Sequence, residues 1–299
     1  MRNKAFFYVD VFASQRWRGN PLCVFPDARG LSELDMGHIA REANLSETIF
    51  IFPPAGRNGY KTRIFTPSKE IPFAGHPAIG AAFVLAIRER RTRLRSPDRF
   101  RLACPAGVVT LRLEWAEEMP SRIGLEALPA VITPARLDLG ELKSALTLPA
   151  STLPGPPVVA SVGTKVLLVE VENVDQVAGV RPARASLLNL CARAGVASLA
   201  VFCRQGLGAG VDIHMRCFSS RLPTLEDPGT GSAAGALGAH LLKAQPRSVQ
   251  KLEVVIEQGI EMGRTSRMEV DVERDGARDV LKAVVWGRVV LVWRGWLQT

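Results

Sequence analysis

Four side chains stand where they could move a proton or hold an acid. Glu47 ends the run Asn44-Leu45-Ser46-Glu47, between a predicted helix end and the apolar stretch Thr48 to Phe52. His76 stands in Gly75-His76-Pro77, and Asp227 and Ser232 frame Asp227-Pro228-Gly229-Thr230-Gly231-Ser232. A carboxylate in a closed, partly apolar cleft has a raised pKa and can both take and return a proton. A histidine can hydrogen-bond a substrate and assist the transfer. Ser232 and the backbone N–H groups of Gly75 and Gly231, at two helix starts, suit a carboxylate. Each also has a plainer explanation: a solvated turn glutamate, a capping or buried hydrogen-bonded histidine, an aspartate and a serine that cap a helix. Residue types alone leave both open.

Other chemistries lack their patterns. His38, His214 and His240 show no H-E-x-x-H spacing, and Cys23, Cys104, Cys191, Cys203 and Cys217 are odd in number with no C-x-x-C. Neither a metal site nor a disulfide framework is expected, and the thiols read as reduced and buried. Gly229, Gly231 and Gly235 faintly resemble a dinucleotide fingerprint, but residues 222–227 make no strand ahead of them. No phosphate-binding G-x-x-x-x-G-K-[ST] and no G-x-S-x-G nucleophile turn occurs. No cofactor is expected.

The elements that must carry these residues follow from periodicity and caps. Strands are expected near 6–12, 22–25, 48–52, 62–65, 99–104 and 107–115, with helices from Ser32 to Ala43, capped by Ser32 and Asp35, and from Pro77 to Arg90. Residues 128–134 read as a linker. The second half gives strands near 157–162, 165–171, 198–203, 211–218, 251–257, 268–273, 279–286 and 288–293. Its helices fall near 139–148, 183–194 and 231–243. The segments Ile64–Ala86 and Cys217–Leu242 are alike when Phe65 is placed on Phe218 and Gly75 on Gly229, with a one-residue insertion. Each reads strand, polar loop, glycine, then a helix of alanine and glycine. A helix so slim and apolar on nearly every side is buried all round, so a sheet wrapped about it is expected. Two similar halves result, 1–128 and 129–299, with the last strand free to return to the first.

Composition bounds the rest. Of 299 residues, 47% are hydrophobic and 22% charged, with mean hydropathy +0.10, which excludes wholesale disorder. The apolar run Ile71 to Ile87 is broken by His76, prolines and glycines, so it is no membrane span. Asp10 interrupts the N-terminal apolar stretch, which reads as a first strand and not a signal peptide, and the expected setting is cytoplasmic. Net charge is +9, and seven arginines lie between Arg88 and Arg101. They could grip nucleic acid, but Phe100 is the one aromatic residue among them and no nucleic-acid motif accompanies the run, and a solvated helix end and loop explains them as well.

Three stretches in order, with a fourth near the end, carry a family resemblance: DVFASQRWRGNPLCVFPDARGLSELDMGHIAREANLSETIFIF, FTPSKEIPFAGHPAIGAA, EDPGTGSAAGALGAHL and EQGIEMGR. The chain resembles the PhzF phenazine-biosynthesis family over most of its length, least from about 90 to 200. The resemblance implies an α+β, diaminopimelate-epimerase-like fold, with two pseudo-symmetric domains, each a strand barrel around a central helix, and an active site between them. It implies a cofactor-free, homodimeric isomerase. The family's catalytic positions fall on Glu47, His76 and Asp227, and its substrate-binding positions on Ser46, Gly75, Gly231 and Ser232. Glu47 would shuttle the proton, while His76 and Asp227 polarise and position. Ser220 departs from the family's usual proline. The cysteine pair that epimerases of this fold use as acid and base has no counterpart in these loops. The expected activity is isomerisation of trans-2,3-dihydro-3-hydroxyanthranilate. Its rivals are another small carboxylate, a basic nucleic-acid-binding protein and a purely structural homodimer.

Overall fold

The computed structural model describes residues 3–54, 59–89, 98–149, 153–219, 225–275 and 280–298. Most of the arginine run, residues 90–97, and Ser220 lie outside the described residues. The chain divides into two compact units, residues 1–126 with 286–299, and residues 127–285.

The first unit runs β1 (Asn3–Val11), β2 (Asn20–Phe25), α1 (Glu33–Ala43), β3 (Thr48–Phe52), β4 (Tyr60–Phe65), β5 (Glu70–Ile71), α2 (Gly75–Glu89), β6 (Arg99–Cys104), β7 (Gly107–Ala116) and β8 (Met119–Glu126). The second runs β9 (Val131–Pro134), α3 (Leu139–Leu146), β10 (Val158–Ser161), β11 (Lys165–Glu170), α4 (Val174–Gly179), α5 (Arg184–Ala194), β12 (Ser198–Cys203), β13 (Ile213–Ser219), β14 (Glu226–Asp227), α6 (Gly231–Lys243), β15 (Lys251–Gln258) and β16 (Ser266–Asp275). It ends at Val285 within β17 (Val280–Gly287). The last strand, β18 (Val289–Gln298), returns to the first unit and lies antiparallel to β1.

Within each unit the pairings repeat in the same order. β1–β2 is antiparallel, β2–β3 parallel, β3–β4 and β4–β5 antiparallel, β4–β6 parallel and β6–β7 antiparallel. The second unit matches step for step: β10–β11 antiparallel, β11–β12 parallel, β12–β13 and β13–β14 antiparallel, β13–β15 parallel, β15–β16 antiparallel. One salt bridge is duplicated with them. Arg63 on β4 pairs Glu70 on β5, and Arg216 on β13 pairs Glu226 on β14, each through both guanidinium and carboxylate ends. Each guanidinium also lies over a phenylalanine two residues on, Phe65 at 5.1 Å and Phe218 at 4.9 Å. These matches correct the expected alignment. With Glu70 on Glu226, Gly75 falls on Gly231 rather than Gly229, and the length difference falls between β13 and β14.

The helices explain the small residues. α2 is buried continuously from His76 to Ala86 and packs on β1, β2, β3, β7 and β8. α6 packs on β10, β11, β15 and β16. A Cβ at Gly80 would lie 2.4 Å from Leu22 Cδ2, and one at Gly238 would lie 2.8 Å from Val270 Cγ1. Helix and sheet touch there with no room for a side chain. The strands supply the apolar mass; each fully buried Val, Leu, Ile or Phe is worth about 1.5–3 kcal/mol.

Four readings need correction, the first being that Glu226 and Asp227, within the stretch read as no strand, form the two-residue β14 against β13. Residues 131–134 are a strand, antiparallel to β10, and no linker; four residues are too few to show a period. β8 was not anticipated because Pro120 and Gly124 break its pattern. Gly124 makes room for the Trp286 ring, 2.6 Å from where its Cβ would be. α4, a short helix capped by Asn173 over the Gln176 N–H at 3.0 Å, was also missed. Among the described residues, no helix is long and apolar enough to cross a membrane.

Candidate active site

Glu47 is delivered by local chemistry. Ser32 and Asp35 cap α1 reciprocally, at 3.1 and 2.9 Å. Asn44 then ends the helix in the left-handed conformation, φ 50°. Ser46 and Glu47 follow directly, and β3 begins at Thr48 opposite Phe65. His76 enters from the other side, in the first turn of α2. Its Nε2 lies 3.6 Å from Glu47 Oε2, with side chains 5% and 13% exposed.

A third residue sets the state of this pair. Asn20 is fully buried at the start of β2. Gly19 before it has φ 67°, and a Cβ there would strike the Val11 carbonyl at 2.2 Å, so only glycine allows the turn. The Ser46 hydroxyl donates to Asn20 Oδ1 at 3.3 Å, which aims Asn20 Nδ2 at His76 Nδ1, also at 3.3 Å. Nδ1 therefore accepts, and the single imidazole proton sits on Nε2, facing Glu47. Burial pushes the His76 pKa down to about 3. His76 thus meets Glu47 as a neutral N–H donor and not as an imidazolium.

Asn20 was read from sequence only as part of a turn. A polar residue between a glycine and a proline, at the mouth of an apolar strand, is the signal that could have raised it. Ser46, expected to bind substrate, spends its hydroxyl proton on Asn20.

The second unit holds Asp227 and Ser232. Asp227 is buried on β14, opposite Cys217. It accepts from the Thr230 hydroxyl through Oδ2. Gln258, at the end of β15 and fully buried, donates from Nε2 to the Asp227 carbonyl at 2.5 Å and accepts the Thr230 N–H at 3.0 Å. Asp227 is not the cap of α6; Thr230 holds that position, with no side-chain cap bond. Ser232 lies half-buried in the first turn. Neither α2, from Gly75, nor α6, from Gly231, has an acidic residue in its first turn, so each start keeps its partial positive charge. Burial pushes the Cys23 and Cys217 thiols up to about 12, so both stay protonated at neutral pH.

A family model described as "Phenazine biosynthesis-like protein" matches residues 9–295. A trans-2,3-dihydro-3-hydroxyanthranilate isomerase of Pseudomonas aeruginosa is 35% identical over 276 residues, covering 91% of this chain and 92% of its own. A phenazine biosynthesis protein of the PhzF family from Bacillus anthracis superposes with TM-score 0.90 at 26% identity, over 100% of both chains. A hydroxyproline epimerase from Agrobacterium vitis, 14% identical, superposes with TM-score 0.66 over 99% of this chain and 92% of its own, a likeness of fold alone. The α+β, epimerase-like architecture expected from the resemblance is the one observed.

Proposed function

The chain belongs to the phenazine biosynthesis-like family of isomerases, and from that premise we propose that it moves a proton between carbons of a small cyclic carboxylate, without a cofactor, by general acid–base catalysis. The substrate we assign is trans-2,3-dihydro-3-hydroxyanthranilate, on which the P. aeruginosa relative is named.

What supports Glu47 as the shuttle is its carboxylate, 13% exposed, 3.6 Å from Nε2 of a buried, neutral histidine. The Glu47 carboxylate takes a proton from a ring carbon, and the C–H electron pair moves into the ring's π-system. Glu47 then returns a proton, exchangeable with solvent while it sits on the carboxyl group, to a different ring carbon as the double bonds shift. Atoms and electrons balance with no oxidant or reductant. His76, neutral at working pH, donates its Nε2–H to the developing charge and does not itself carry the proton. Asp227 positions the substrate's amino or hydroxyl group. Ser232 and the helix starts at Gly75 and Gly231 hold its carboxylate, while Ser46 acts through Asn20.

The test is turnover in deuterium oxide with wild type and Glu47→Gln. The wild type should isomerise trans-2,3-dihydro-3-hydroxyanthranilate and leave solvent deuterium in the product. The variant should lose at least about a thousandfold in rate, within the range for a general acid–base group, while still binding the stable analogue 3-hydroxyanthranilate. Full-rate exchange in the variant removes Glu47 from the mechanism. A wild type inert toward this compound but active on another small carboxylate corrects the substrate and leaves the mechanism in place.

A further inference from the structure

The segment Glu257-Gln258-Gly259-Ile260-Glu261-Met262-Gly263-Arg264 is given no part in the chemistry above, yet it is among the stretches that carry the family resemblance. It surrounds a buried charge. His214, on β13 and fully buried, faces Glu257 Oε1 through Nδ1 at 3.1 Å and Glu261 Oε1 through Nε2 at 2.9 Å. Both ring nitrogens meet carboxylates, so both must donate, and only the imidazolium can do so.

The same segment grips the Asp227 loop. Glu257 and Gln258 are consecutive on β15 and project to opposite faces. Glu257 faces His214, and its carboxylate also accepts the N–H groups of Leu207 and Gly208, at 2.6 and 3.1 Å. Gln258 holds the Asp227 carbonyl and the Thr230 N–H. Gly259, with φ 80°, brings the turn against the loop's backbone: a Cβ there would lie 2.6 Å from the Pro228 carbonyl oxygen. Backbone movement at 257–258 would therefore displace both faces together.

We propose that His214, clamped between Glu257 and Glu261, is a positioning residue: it locks the 257–264 turn and, through Gln258, holds the Asp227–Thr230 loop in its working geometry. The catalytic part of this inference rests on the assignment of Asp227 given above. The charged and titratable groups around His214 are Glu257 on β15, Glu261 in the turn, Cys203 opposite it on β12, and Arg216 on its own strand. Arg216 lies 3.9 Å from Glu261 and is paired with Glu226 on β14. Burial acts to lower the His214 pKa, but the two carboxylate hydrogen bonds outweigh it and the value rises to about 9. The lock is therefore charged at neutral pH and releases in alkali.

The test uses the full chain with His214→Gln and the milder Glu261→Gln. Hydrogen exchange at pH 7 reads the Thr230 amide against amides of the β15–β16 ladder. Both variants should speed Thr230 exchange about tenfold or more while the ladder stays protected. With substrate, kcat of the wild type should fall in alkali with an apparent pKa near 9. In Glu261→Gln that limb should move about one unit or more lower, and in His214→Gln it should vanish. Unchanged Thr230 exchange in both variants overturns the proposal, and so does acceleration shared equally by the ladder, which would make His214 a general stability residue. If the loop loosens selectively but the wild type turns over no small carboxylate, the lock stands and the catalytic assignment of Asp227 falls.

Discussion

His76 gives a sharp prediction because its environment fixes both its charge and its tautomer. Its pKa falls from an ordinary 6.5 to about 3. At about 1.4 kcal/mol per unit, protonating it inside the fold costs roughly 5 kcal/mol more than in water. At pH 7 about one molecule in 10⁴ carries the charge. The unfolded chain binds this proton below about pH 6.5 and the folded chain only below about 3. Stability from the neutral histidine is therefore complete above 6.5 and is lost as pH falls toward 3, at up to about 1.4 kcal/mol per pH unit. Denaturant unfolding of wild type and His76→Gln at several pH values isolates the term, since every other titrating group is shared. The wild type should lose stability more steeply on acidification, by about that slope, and the two curves should run parallel above pH 7. Nitrogen-15 spectra of the imidazole should show a protonated Nε2 and a bare Nδ1 throughout. Parallel curves across the whole acid range, or an imidazole that titrates near 6.5, would refute the claim that this histidine is held neutral.

Asn20→Ala removes the donor to His76 Nδ1. It should cost about 1–3 kcal/mol, let both tautomers appear in the nitrogen-15 spectrum and lower kcat about tenfold. Two glycine substitutions should act in opposite directions. Gly80→Val drives a side chain into Leu22, Val9 and Val11 and should cost about 1–3 kcal/mol. Gly37→Ala, inside α1 with nothing within 4 Å, should gain about 0.5–1 kcal/mol. Thermal and denaturant midpoints check both.

Much of the fold was legible because its signals are local. The Ser32 and Asp35 cap, the left-handed Asn44 and the slim α2 and α6 act within a few residues, and those helices fall close to their expected bounds. The missed pieces, β8, β9 and α4, are short or broken by proline and glycine, and they owe their form to neighbours such as Trp286 beside Gly124. The repeat was visible in composition, but its register came from the Arg63–Glu70 and Arg216–Glu226 bridges. A three-dimensional pairing finds such a correspondence where similarity of small residues does not.

The sequence by itself determined that two alike segments each send an alanine- and glycine-rich helix into a core, and that Glu47, His76 and Asp227 sit at the ends of such elements. Tertiary structure alone decided what state they are in. Asn20 reaches His76 across 56 residues and Ser46 across 26, and that chain of bonds places the imidazole proton. His214 meets Glu257 across 43 residues and becomes a buried cation. Protonation depends on burial and on distances of a few ångströms between side chains, and those quantities exist only after distant strands have paired.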